Sequence, residues 1–155
     1  MKSKTVLSVL FVCLAAAAVA VAADDAFMGT WKLNEAKSKM GMGVAKNSTV
    51  VYSAAGDMIE ITIDGSGADG KPTHSEWTGK FDGKDYAVSG DAPDDMRSVK
   101  MEDAHTLTIK GSKAGKEVLT GKITLSTDGK TRTVVTHQTD SAGKKVSSIA
   151  VYDKQ

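Results

Sequence analysis

Cysteine is almost missing from this 155-residue chain: the single thiol, Cys13, lies in the apolar stretch near its start. Beyond that stretch no disulfide framework, Cys nucleophile or Cys-based metal site is expected. Aromatics make up only 5% of the residues, so a core has to be built mostly from aliphatic side chains. Neither sign of charge dominates, with 20 Lys and Arg against 19 Asp and Glu, and no basic stripe points to nucleic acid. The hydrophobic and charged shares, 41% and 25%, are those of a globular chain and argue against a wholly disordered one. The length suits one domain.

Residues 1–23 read as an export segment outside the fold. Lys2 and Lys4 give a positive start, Val6 to Val21 is almost entirely apolar, and Ala20-Val21-Ala22 is the small-x-small pattern read by a signal peptidase. Cleavage after Ala22 or Ala23 leaves residues 24–155 as a single domain, with eighteen basic residues facing nineteen acidic ones. The apolar run is short and Ala-rich for a membrane span; an uncleaved anchor is the alternative. Val12 precedes Cys13 where a bacterial lipoprotein signal has a small residue, so lipid attachment is not expected. The expected location is periplasmic or secreted, without stable membrane insertion after cleavage. With no cysteine to use in that oxidising compartment, a full-sized core has to stabilise the fold.

Helical periodicity is nearly absent and alternation dominates. Ile59, Ile61 and Ile63 share one face while Met58, Glu60, Thr62 and Asp64 share the other, the pattern of a half-buried strand. The same reading applies to Ser75-Trp77-Gly79-Phe81, Tyr86-Val88, Val99-Met101, Leu107-Ile109, Leu119-Gly121-Ile123-Leu125 and Ile149-Val151, and Met28–Leu33 and Val50–Ala54 also look extended. Asp82-Gly83 and Asp128-Gly129 are expected to form tight hairpin turns. Gly56-Asp57, Asp69-Gly70, Ala114-Gly115 and Ala142-Gly143 are expected in slightly longer loops. Asn34 to Lys39 suits a short helix capped by Asn34. About ten strands without crossover helices predict an all-β fold, an antiparallel up-and-down barrel of 8–10 strands. An open sandwich is the alternative.

The segment Phe27-Met28-Gly29-Thr30-Trp31-Lys32-Leu33, "FxGTWKL", resembles the first strand of fatty-acid-binding proteins and, more loosely, the G-x-W of lipocalins. Val151-Tyr152-Asp153-Lys154 is similar to the closing "VYEK" of the former. The chain also resembles uncharacterised secreted bacterial lipocalin-like proteins that share "GTWKLN", "DGKDY" and "VYDKQ"-like segments. The resemblance implies a calycin barrel that binds a small hydrophobic or amphipathic molecule in its interior. It also implies that Trp31 packs at one end of the barrel with Arg132 stacked on it. Two departures stand out. Asn34 to Thr49 is too short for the family's helix–turn–helix lid, and the R-x-Y of the last strand is represented by Ala150 and Tyr152. The Tyr is kept and the Arg is absent.

The candidate ligand-binding residues are Arg97, Trp77, Phe81, Tyr86, Met101 and Tyr152. Arg97 shares parity with Val99 and Met101, and only two arginines, Arg97 and Arg132, stand against sixteen lysines after residue 23. An inward guanidinium would anchor an acidic head group; a rim residue paired with Asp94 or Asp95 is the alternative. Trp77 and Phe81 share a face with Gly79, read either as a cavity wall or as plain core. Arg132, Val134, Thr136 and Gln138 alternate on the penultimate strand. His74 and Glu76 share an outer face without an evident third metal ligand. Met40 and Met42 are read as a mobile hydrophobic portal flap rather than a copper site.

"GSKAGK" at Gly111 to Lys116 is one residue short of a phosphate loop. The S-x-x-K at Ser141 to Lys144 sits in a turn, and no histidine has an obvious serine partner. Asn47-Ser48-Thr49 is a sequon that would matter only in a eukaryotic secretory route. No cofactor, no metal and no catalysis are expected. Two further readings stay open: a protein-binding module, for example an inhibitor, acting through the Asp91–Asp95 rim loop with a filled core, and an enzyme built on His137 with Arg97.

Overall fold

The computed structural model describes residues 25–140 and 142–155; the expected export segment, Cys13 and Ser141 lie outside the described residues. Ten strands follow one another: β1 (Gly29–Leu33), β2 (Lys46–Ala55), β3 (Met58–Ser66), β4 (Pro72–Gly79), β5 (Asp82–Gly90), β6 (Met96–Asp103), β7 (Thr106–Lys113), β8 (Lys116–Leu125), β9 (Thr131–Thr139) and β10 (Lys145–Lys154). Each pairs antiparallel with its chain neighbour, and β1 pairs with β10, so the sheet is a closed barrel. The expected class, an all-β antiparallel up-and-down barrel with a short helix after its first strand, is what forms. The helix is a single 3-10 turn, Glu35–Lys37, whose Asn34 cap accepts a hydrogen bond from the Lys37 N–H at 3.2 Å.

Alternation does the sorting. On β3, Ile59 and Ile61 are buried while Asp64 is exposed. β10 departs from the expected facing: Ser148, Ala150 and Tyr152 point inward, and Ile149 lies 41% exposed on the outer face. The pairing of Ala150 with Val134 and Tyr152 with Arg132 fixes that register, and a shift of one residue would turn all of them over.

The turns also differ from expectation. Gly56-Asp57 and Ala114-Gly115 are two-residue hairpin connections, as are 80–81 and 104–105. Asp82-Gly83 instead opens β5, where the register shifts between Asp82 and Asp85 as at a β-bulge and Gly83 has φ +77°. Asp128-Gly129 belongs to a five-residue loop between Leu125 and Thr131, closed by hydrogen bonds to the Asp128 carboxylate from the Ser126 hydroxyl at 2.6 Å and the Lys130 N–H at 3.0 Å. Flanking pairing, rather than the dipeptide, decides where the chain reverses.

β1 has five residues while β10 has ten, so β1 cannot cover its neighbour's whole edge. The chain after β1 continues the seal. Asn34 N–H donates to the Val151 carbonyl at 2.8 Å, Lys39 and Ile149 exchange two backbone hydrogen bonds, and Gly41 N–H donates to Ser148 Oγ at 2.8 Å. The segment expected to be a mobile flap is therefore pinned along β10, with Met40 turned into the barrel and Met42 90% exposed.

The up-and-down order gives the barrel two ends. Phe27, the 56–57 and 80–81 turns and the 126–130 loop share one; residues 38–45, the 91–95 loop and the 140–144 turn share the other. Among the described non-glycine residues only Ala114 has positive φ, +49°, followed by Gly115 at +76°. Two consecutive left-handed residues form a type I′ turn, for which Asn-Gly is preferred, and a Cβ other than that of Asn or Asp is strained there. Ala114→Asn is expected to raise stability by about 0.5–1 kcal/mol, read as a higher urea midpoint at unchanged m-value; an unchanged or lower midpoint would contradict the turn assignment.

Candidate functional site

The interior is divided. At the first end the aromatic side chains fill it: Trp77 stacks on Phe81 with centroids 6.5 Å apart, Phe81 meets Phe27 and Tyr52 edge-on, and Tyr86 meets Trp77 edge-on at 5.7 Å. Gly79 permits this packing, because a Cβ there would lie 2.5 Å from the Trp77 ring and 2.6 Å from Tyr86. The Gly79 face is thus a close approach of rings, not a cavity wall. The Trp77 indole N–H donates to the Arg97 carbonyl at 3.0 Å.

Between this aromatic end and the loops of the second end lies a cavity of about 120 Å³. Its wall is aliphatic, with Val50, Ile61, Val99, Ile109, Ile123 and Val134 from six different strands. Polar groups enter from one side: Asn47, Thr136, Gln138 and Ser148. Met40 and Pro93 lie at the end occupied by the loops. Of the six residues expected to contact a ligand, Arg97 and Tyr152 line this cavity; Trp77, Phe81, Tyr86 and Met101 are not among its lining residues and pack in the core instead. The inward face of β9, Arg132 through Gln138, contributes four lining residues. Their alternation is visible in the sequence, and it was the signal that marks them.

The two arginines differ in their partners. Arg97 donates from Nε and Nη2 to the Asp94 carboxylate at 2.8 and 2.7 Å, a bidentate pair in which the Asp94 side chain is wholly buried. Asp94 packs so closely over Gly111 that any Cβ there would collide with its carboxylate. Paired in this way, Arg97 presents little free charge to the cavity, and its pairing with Asp94 combines both expected placements: it is inside, and it is neutralised. Arg132 is 2% exposed, and among the described residues it forms no salt bridge. Its guanidinium carbon lies 4.5 Å from the Tyr152 ring centroid, 5.0 Å from Tyr52 and 5.2 Å from Trp31. Lys154 Nζ lies 5.2 Å from the same Trp31 ring, and the Trp31 indole donates to the Phe27 carbonyl at 2.8 Å. Cation–π contacts of this kind contribute about 0.5–2 kcal/mol each, against a desolvation cost of several kcal/mol for a buried ion. Burial pushes the Tyr152 phenol up to about 12; it stays neutral and donates to the Asn47 carbonyl at 3.0 Å.

On the outer surface His74 lies between two carboxylates, Nδ1 2.6 Å from Asp64 and Nε2 3.1 Å from Glu76. The sequence pairs His74 with Glu76; Asp64 comes from β3 through the cross-strand register. Both ring nitrogens are occupied, which describes a held proton rather than a metal ligand, and no group of three or more His, Cys, Asp or Glu placed for a metal occurs among the described residues. His137 does have a serine partner, Ser147 Oγ at 2.7 Å, its directly paired residue on β10. The sequence separates them by ten positions, so only the register reveals the contact. They border an outer groove of about 290 Å³ with Glu117 and Lys145. His137 is exposed there while Arg97 is buried inside the barrel, so the structure does not bring that pair together.

No protein-family model and no curated protein matches the chain. Solved structures of similar fold include EF1p2_mFAP2b bound to DFHBI, at TM-score 0.52 and 12% identity over 86% of this chain and 97% of that one. Another is a redesigned beta barrel, mFAP1, bound to DFHBI, at TM-score 0.45 and 16% identity over 85% and 98%. At 12% identity the likeness to the first concerns the fold alone, a closed barrel.

Removing one member of the buried pair strands the other. Asp94→Ala is expected to cost about 3–5 kcal/mol, and Arg97→Met added to it should recover part of that loss, both measured by urea denaturation. A second expectation concerns His74. Its folded-state pKa is raised above the ordinary 6.5, first by the hydrogen bond to Asp64 and then by that to Glu76. The resulting stabilisation is fully present below 6.5 and is lost as pH rises through the folded-state value. The midpoint difference between the native chain and His74→Gln should therefore shrink on going from pH 6 to above the folded pKa; a difference independent of pH would contradict the proton clamp.

Proposed function

We propose that the protein is an exported, non-enzymatic, lipocalin-like carrier or sensor that holds a small hydrophobic or amphipathic molecule inside the barrel. The observation that carries this reading is the partly open aliphatic cavity inside the barrel, with polar groups on one side and loops at its end. That arrangement gives an apolar body somewhere to go and a polar group something to meet. The DFHBI-bound barrel at TM-score 0.52 supports it as an instance of a similar fold holding a small molecule.

Size limits the ligand. Pockets for drug-sized molecules are roughly 300–1,000 Å³, whereas a buried cavity of about 150 Å³ takes benzene. At about 120 Å³ this interior suits a compact ring or short chain rather than a long-chain fatty acid. For about eight heavy atoms, the ceiling on affinity per atom and the ordering cost place Kd between roughly millimolar and micromolar. The rim-loop alternative is less favoured because Asp94 is engaged with Arg97, Asp95 accepts from Ala114 N–H at 3.0 Å and Asp91 from His74 N–H at 3.2 Å.

Two measurements test the reading. Native mass spectrometry of the protein from its own host should find a co-purified small molecule, and ligand-observed NMR should detect binding of benzene-sized probes. Val134→Phe, which adds bulk to the cavity wall, is expected to reduce that binding at least tenfold while the barrel still folds, at a packing cost of about 1–3 kcal/mol. Binding that ignores this substitution would place the ligand outside the barrel.

A further inference from the structure

Leu119 and Gln138 line the interior cavity and also the outer groove that holds His137 and Ser147. They are register partners across β8 and β9, and theirs is the pair of that ladder nearest the loop end. Beyond it the two strands part. Lys116 and Glu117 still pair with β7, and Thr139 still pairs with Lys145 of β10, but β8 and β9 no longer pair with each other. The groove therefore begins where the barrel wall loses its ladder, and one pair of residues is common to both spaces.

The neighbouring way out of the cavity, through the loops, is tied down. Lys39 and Ile149 exchange two backbone hydrogen bonds, Gly41 N–H donates to Ser148 Oγ, and Asp94 grips Arg97 beneath the 91–95 loop. Asp95 adds two backbone bonds of its own, accepting from Val88 N–H and donating to the Ser112 carbonyl, both at 2.9 Å. A ligand longer than the cavity meets fewer bonds to break at the β8–β9 parting than at the loops.

The groove, at about 290 Å³, is larger than the cavity of about 120 Å³. Thr120, His137 and Ser147 form one row across its three strands, and they offer donors and acceptors together. Glu117 and Lys145 also border it; among the described residues neither forms a salt bridge. One carboxylate and one ammonium cancel, so the groove favours neither sign of charge. The cavity is alike in this respect: Asp94 neutralises Arg97, and Nε and Nη1 of Arg132 are buried without opening onto it.

We infer that the groove is a second ligand subsite, continuous with the cavity past Leu119 and Gln138. Its ligand is an uncharged amphiphile, with a short alkyl group of about six carbons inside the barrel and a polyhydroxyl head in the groove. The inference rests on the carrier reading above and adds the chemical class of the ligand. The alkyl part leaves water, while the head keeps its hydrogen bonds at the half-exposed surface instead of losing them in the interior.

Isothermal titration calorimetry on the unmodified chain at pH 7 tests this with hexyl β-glucoside, hexanol, hexanoate and methyl β-glucoside. The hexyl glucoside should bind at least tenfold more tightly than hexanol and shift the His137 ring resonances, which hexanol leaves in place. Hexanoate should bind no more tightly than hexanol, and methyl glucoside should not bind measurably. Ser147→Trp, at an exposed position, fills the groove; it should abolish the advantage of the glucoside and leave hexanol binding within about twofold. Pro93→Trp in the loops should preserve that advantage. If Ser147→Trp does not fold, the His137 resonances of the unmodified chain still decide. Equal binding of glucoside and hexanol, an unmoved His137, or an advantage lost in Pro93→Trp but not in Ser147→Trp would overturn the groove subsite and leave the carrier reading standing. Hexanoate binding above that of the glucoside would overturn the uncharged class. Binding of none of the hexyl compounds would overturn both readings.

Discussion

A five-residue strand closes this molecule, and everything inside follows from its doing so. β1 hydrogen-bonds to β2 on one side and to β10 on the other, with Trp31 opposite Val50 and Lys154 in the same stretch. Without it, the edges of β2 and β10 would face solvent as templates for further pairing. β1 is too short to seal the whole of β10, so residues 34–41 complete the seam with backbone and Ser148 hydrogen bonds. Trp31 lies fully buried at that seam, held by its own indole N–H and flanked by Arg132 and Lys154. Closure and the burial of a cation are thus parts of the same packing arrangement.

Closure makes an interior, and the few aromatic residues determine how much of it is left open. Phe27, Tyr52, Trp77, Phe81 and Tyr86 gather toward one end and pack ring on ring. The branched aliphatic residues on the remaining inward positions are too short to meet across the barrel. What remains is a small cavity, neither the solid core of a purely structural barrel nor the wide hollow needed for a long lipid. Charge is handled in the same space by two routes. Arg97 takes a carboxylate from its own strand's entry loop, and Arg132 takes aromatic faces from three other strands.

Much of the architecture was legible before any coordinates. Alternation of Ile59, Ile61 and Ile63 marks a strand with one buried face, the glycine-containing dipeptides mark reversals nearby, and Asn34 marks the cap of the short helix. The Arg97–Asp94 alternative was also readable, since three residues separate them. The facing of β10 was not: Ile149 and Val151 look like core residues until pairing with β9 turns Ser148, Ala150 and Tyr152 inward. The two tight-turn assignments, Asp82-Gly83 and Asp128-Gly129, failed for the same reason, while Asp69-Gly70 and Ala142-Gly143 lie in longer loops as expected. Asp82-Gly83 has the composition of a hairpin, but the strands beside it pair so that it becomes a bulge.

The chain alone determined that the domain is all-β, antiparallel and built of about ten strands, because strand alternation and turn chemistry act over a few neighbouring residues. Tertiary structure alone decided which end the rings fill, which histidine meets which carboxylate or serine, and which arginine meets a carboxylate and which meets rings. Those outcomes depend on register between strands that lie ten to a hundred or more positions apart. No local pattern encodes that register; it is set by the closing of the barrel as a whole.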